Sequence, residues 1–216
     1  MLGRLQQRLS ETYQAEHGYD VRDFLITDPL LAKTLSGDSA LTRGGETLLV
    51  HEDEAGISLS LYLEDALLRR LGSGDPLAAL HEGRLDDLCK VIEGLSHFNY
   101  VVWCAGRERE LSLLELELQA EVDKFVSMMQ LAMDNEDAGL VNSLHARLFS
   151  DVRFHDELDR EQTERYRAAN EYAARFCRQL KARLIRGEAL NELRRFYRLP
   201  LSEKISHIHA SAWSSG

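Results

Sequence analysis

The chain has 216 residues, 44% of them hydrophobic and 29% charged, which suits one large or two small domains and argues against wholesale disorder. Its net charge of −10 speaks against non-specific nucleic-acid binding and against docking on an anionic membrane. Three prolines, with abundant Leu, Ala, Glu and Arg, point to helix.

The opening MLGRLQQRLSETYQ lacks the apolar centre of a signal peptide. It reads instead as a helix over 3–16, carried by Leu2, Leu5, Leu9 and Tyr13. A second short helix is expected over 20–26. Thr27-Asp28-Pro29 sets a capping side chain before a proline at the first helical position, so LLAKTL should be helical and stop at Gly37. Residues 37–46 read as a loop. The period then changes: Ile57, Leu59, Leu61 and Leu63 alternate with Ser58, Ser60 and Tyr62, the mark of a half-buried strand. Thr47 to His51 is its expected partner and EDEAG the turn, giving an antiparallel β-hairpin over 47–63. A helix over 64–71 leads to GSGDP, the one linker-like break.

Beyond Asp75 the pattern is helical throughout. PLAALHE stops at Gly83, and residues 85–105 form the next helix. Between Gly94 and Ala105 there is no Asp, Glu, Lys or Arg, so this helix should be buried on most sides. Its polar groups Ser96, His97, Asn99 and Tyr100 then need partners. Ser112 and Glu115 form a capping box ahead of a helix to about Met133, and a further helix covers 140–149. Asp159 and Gln162 repeat the capping logic before a helix over 160–186, and residues 188–198 make the last one before Pro200.

Two constellations could carry function. Glu93, His97, Tyr100 and Cys104 share one helical stripe. Folding helices 85–105 and 113–133 into a hairpin about residue 109 sets His97 opposite Glu121, Tyr100 near Glu117 and Glu93 near Lys124. Glu93, His97 and Glu121 are therefore candidate metal ligands, and His97, Glu121 and Tyr100 candidate acid–base groups. An interhelical polar network is the commoner use of such residues. The second constellation is charge. Residues 160–198 hold eleven basic and five acidic side chains, while the rest of the chain holds 15 basic and 31 acidic. A helix burying Tyr166, Ala169, Ala173, Phe176 and Leu180 would present Arg167, Arg175, Arg178 and Lys181 outward, a candidate partner-binding face. The same helix is expected to pack on 113–133. His207 and His209 form an HxH whose rings helical spacing would separate.

The chain contains no glycine-rich phosphate loop, HExxH, GxSxG or CxxC. DNEDAG opens like a calcium loop but carries His145 where the bidentate glutamate belongs. No cofactor is called for. The cysteines number three, and Cys89 and Cys104 lie too far apart on one helix to join, which suits a reducing compartment.

The fold expected is mainly α: a helical bundle over 75–200, an N-terminal helical segment over 1–74 with one antiparallel β-hairpin, and a C-terminal tail over 201–216. The function expected is a non-catalytic, cytoplasmic interaction or regulatory protein that self-associates or binds a protein partner, with no membrane role. The alternative is a helical enzyme or a small-ligand or metal binder using the Glu-His-Glu cluster.

Overall fold

The start signals in the sequence act as helix caps. The Asp28 carboxylate accepts the amides of Leu30 and Leu31, Ser112 accepts the amide of Glu115, and Asp159 with Gln162 closes a full capping box. The computed structural model describes residues 1–36, 45–53, 56–72, 84–150 and 159–213. Among them lie nine helices: α1 Leu2–Tyr13, α2 Pro29–Ser36, α3 Asp65–Leu71, α4 Leu85–Ala105, α5 Leu113–Asp134, α6 Ala138–Phe149, α7 Arg160–Ile185, α8 Leu190–Arg198 and α9 Leu201–Trp213. The strands are β1 Leu25–Ile26, β2 Glu46–Asp53 and β3 Gly56–Leu63. Of the loop expected over 37–46, residues 37–44 lie outside the described residues, as do the tip of the turn at 54–55, the PLAALHE segment, most of the GSGDP break and residues 151–158. Glu46 already belongs to β2, because it pairs with Leu63.

The chain divides into two compact units. One comprises Met1–Ser10 and Glu16–Arg109, the other Glu11–Ala15 and Glu110–Gly216. The protein is mostly helical, as expected, but its sheet is more than a hairpin. β2 and β3 pair antiparallel from Glu46↔Leu63 to Asp53↔Gly56, and β1 adds to the far side of β3 in parallel, Leu25 opposite Leu61 and Ile26 opposite Tyr62. Residues 20–26, expected as a helix, are instead a 3-10 turn, Val21–Phe24, running into β1. The Asp20 side chain accepts the amide of Arg22 and caps that turn, and Leu25 is already extended.

Within the first unit the strand alternation puts Glu46, Leu48 and Val50 on the same sheet face as Ile57, Leu59, Leu61 and Leu63. Helix α4 covers the inner half of that face. Leu61 and Leu63 are buried there, while Val50 and Ile57, further along the hairpin, are exposed. The close approach is made at Gly94, where a Cβ would lie 2.9 Å from both Glu46 Cγ and Leu61 Cδ1. Leu88, Val91, Ile92, Leu95 and Phe98 of α4 are fully buried, as the uncharged run implied. Helix α3 packs on α4, and its Arg70 holds Asp87 through two bonds of 2.7 Å.

In the second unit α7 lies along α5 and touches α6. Ala169, Ala173, Phe176 and Leu180 of α7 are buried and Tyr166 is half-buried. Phe176 stacks on Phe196 of α8 with ring centres 3.9 Å apart, and Tyr13 stacks on Tyr197 at 4.3 Å. Residues 201–213, read from the sequence as tail, form α9, which packs on α7 and buries Lys204 and Ile208.

Candidate functional site

The polar stripe of α4 finds partners inside its own unit. His97 is buried, and its Nδ1 lies 3.4 Å from Oε1 of Glu46, itself buried at the start of β2. Glu93, one turn before His97 and half-buried, offers a carboxylate oxygen within 4.8 Å of a His97 ring nitrogen. An ionised carboxylate only accepts, so in this pair Nδ1 of His97 is the donor. Glu46 escaped the sequence reading because the strand was begun at Thr47. Its register opposite Leu63, on the core-facing side, was the available signal.

Asn99 anchors a second group in the same unit. Its Oδ1 accepts from Gln6 Nε2 at 3.2 Å and from His17 Nε2 at 3.0 Å, and Gln6 also bonds the Tyr19 carbonyl and the Val21 amide. The amide of Tyr19 donates to His17 Nδ1, so Nε2 carries the proton. Further along the stripe Tyr100 is fully buried, and its hydroxyl accepts from Arg109 Nη1 at 3.1 Å. Arg109 also reaches Cys104 Sγ at 3.8 Å and sits 5.6 Å from the Trp103 ring centre, while Arg107 lies 4.5 Å over the same ring. Two cations thus sit on aromatic faces at the carbonyl end of α4, where the helix dipole favours positive charge.

In the second unit Glu121 accepts from Lys124 Nζ at 2.8 Å, an i,i+3 pair along α5. Arg167, Arg175 and Arg178 all stand exposed on α7, with no hydrogen bond or ion pair among the described residues. Lys181 differs, because its ammonium donates to the Asn142 carbonyl of α6 at 2.9 Å. The HxH rings part company as helical spacing requires: His207 bonds Glu192, whereas His209 packs edge-on against Tyr172.

A buried polar chain in this unit was missed altogether. Lys204 Nζ donates to Gln119 Oε1 at 2.7 Å and to the Phe196 carbonyl at 2.8 Å. Gln119 Nε2 donates to Asp123 Oδ1 at 2.8 Å, and the Tyr13 hydroxyl donates to the same oxygen. Lys204 and Gln119 are fully buried, Asp123 and Tyr13 nearly so. Every donor points one way, from ammonium through amide to carboxylate, so the charges of Lys204 and Asp123 are mutually compatible. Burial, and then the Asp123 carboxylate, push the Tyr13 phenol well above its ordinary value. Burial likewise pushes up the Cys177 thiol, with smaller contributions from Glu121 and Asp123, which makes it a poor nucleophile. Lys204 could have been found from its spacing, since it falls between Leu201 and Ile208 on the face that α9 buries.

No protein-family model, curated protein or solved structure matches the chain. No helix among the described residues is long and apolar enough to cross a membrane.

Proposed function

We propose that the protein is a non-catalytic, cytoplasmic interaction or regulatory protein that binds an acidic protein surface, a second copy included, through the outer face of α7. The observation that carries this reading is the contrast among arginines in the second unit. Arg160 lies 2.8 Å from Glu164, Arg186 2.8 Å from Glu188 and Arg183 3.4 Å from Glu192. Arg167, Arg175 and Arg178 have no such carboxylate among the described residues, on a chain whose remaining segments are strongly acidic. Guanidinium groups left in water retain their five donors for a carboxylate brought by a partner. Three cysteines, none in a disulfide, accord with a reducing compartment.

Light scattering behind a sizing column tests the self-association arm and should give at least twice 24.6 kDa in low salt. The Arg175→Glu/Arg178→Glu double variant should elute as a monomer with an unchanged far-ultraviolet spectrum. A wild-type monomer at high micromolar concentration removes self-association, and a double variant that still dimerises removes this face as its cause.

A further inference from the structure

We propose that helix α4 carries a site for a first-row divalent transition-metal ion, with Glu93 and His97 as ligands and Glu46 as the positioning residue behind the histidine. This inference is independent of the α7 surface and stands or falls without it.

The geometry begins with spacing. Residues four apart on a helix lie one above the other, so Glu93 and His97 project on the same side of α4. Their candidate ligand atoms lie within 4.8 Å. An ion bound at about 2.0–2.2 Å from an imidazole nitrogen and a carboxylate oxygen holds two tetrahedral ligands about 3.4 Å apart. A side-chain rotation of half-buried Glu93, which has three torsions, closes that difference without moving α4. His97 is nearly buried and held from behind, so its ring is the fixed element of the pair.

The second part of the argument is the far side of the imidazole. A metal-bound histidine characteristically gives its other N–H to a carboxylate, which fixes the ring and raises the basicity of the ligating nitrogen. Glu46 stands at that position, 3.4 Å from Nδ1, and leaves Nε2 as the donor atom toward the ion. Gly94 is what admits it, since a Cβ there would meet Glu46 Cγ at 2.9 Å. The glycine thus lets a carboxylate from β2 come up beside a helix to face a histidine three residues later. Imidazole with carboxylate selects borderline ions such as Zn2+, Co2+, Ni2+ or Fe2+ over Ca2+ and Mg2+. Water completes the shell.

The test uses the full chain, stripped with chelator and titrated with Co2+, whose visible absorption reports its ligands, followed by Zn2+ competition. Wild-type protein should bind one Co2+ per chain with a spectrum displaced by Zn2+. His97→Gln and Glu93→Gln should each weaken binding at least tenfold. Glu46→Leu should weaken it about 10–100-fold, the ordinary effect of removing an outer carboxylate. Glu46→Gln, which still offers an oxygen to Nδ1–H, should recover most of that loss; a merely structural role for Glu46 would not track the acceptor. His209→Ala, on an exposed histidine of α9, should leave the titration unchanged. Glu93 is half-buried, so Glu93→Gln keeps the test readable even where His97→Gln fails to fold. Absence of stoichiometric Co2+ binding by folded wild-type protein overturns the proposal, as does wild-type affinity in folded Glu93→Gln or His97→Gln.

Discussion

In the first unit a buried carboxylate, Glu46, faces its histidine directly, whereas in the second a neutral amide stands between the buried ammonium of Lys204 and the carboxylate of Asp123. The two solutions fail differently. A histidine can remain in an interior as a neutral ring if its partner is lost, but a lysine ordinarily cannot without a large change in its protonation. The direct pair therefore suits a place where a ligand acts on the group. The relayed chain suits a place that must hold one geometry, because α9, α8, α5 and residue 13 all meet in it.

The largest expected effect lies in that chain. Lys204→Ala strands Gln119 Oε1, removes one of the two donors to the Phe196 carbonyl (the Leu199 amide is the other) and takes the buried positive charge from the chain that ends at Asp123. Breaking a buried ionic arrangement from one side costs about 3–5 kcal/mol. Urea unfolding of the variant should show a loss of that order, and Lys204→Met, which keeps the aliphatic stem, should recover only part of it. A loss below about 1 kcal/mol would show that the relay contributes little and that the contrast between the units is one of geometry alone.

Helices α2, α4, α5 and α7 were legible in the sequence because each signal was local. Asp28-Pro29, Ser112 with Glu115, and Asp159 with Gln162 sit within a turn of the amides they satisfy, and the uncharged run of α4 announces its own burial. The partners were less legible because they come from elsewhere in the chain. Glu46 meets His97 across 51 residues and Lys204 meets Gln119 across 85, and no period links either pair. β1 was illegible for another reason. Two residues cannot display an alternation, and its pairing is dictated by the open edge of β3 rather than by Leu25 or Ile26 themselves.

A smaller effect sharpens the first unit's side of the comparison. Gly94→Ala brings a methyl group against Glu46 Cγ and Leu61 Cδ1, and Leu61 is fully buried, with little room to yield. Overpacking costs about 1–3 kcal/mol, and the better helix propensity of alanine returns about 1. A net loss of up to about 2 kcal/mol in thermal or urea unfolding is expected, along with weaker Co2+ binding as Glu46 is pushed from His97. Combining Gly94→Ala with Leu61→Ala should cost less than the sum of the two, because the second change makes the space the first one needs. Strict additivity would mean that α4 shifts as a whole and that the close approach is not what sets Glu46 in place.

The smallest effect concerns a surface pair, Arg70 on α3 and Asp87 in the first turn of α4. The guanidinium grips the carboxylate through two bonds of 2.7 Å and holds its pKa below the ordinary value. The hydrogen bonds from Arg70 are the main cause, and burial opposes them. A lowered folded pKa means the folded state binds a proton less readily than the unfolded chain. The contribution is therefore complete above the unfolded value of about 3.9 and is lost as pH falls through the folded one. Much of Arg70 is in water, so salt and solvent screen the pair heavily. Asp87→Asn should then melt slightly below wild type at pH 6 in low salt, with the gap closing both in high salt and on acidification well below the unfolded carboxylate value of about 3.9. A gap that persists at low pH would show that the carboxylate's charge is not its cause, and would leave the docking of α3 to its buried Leu67 and Leu71.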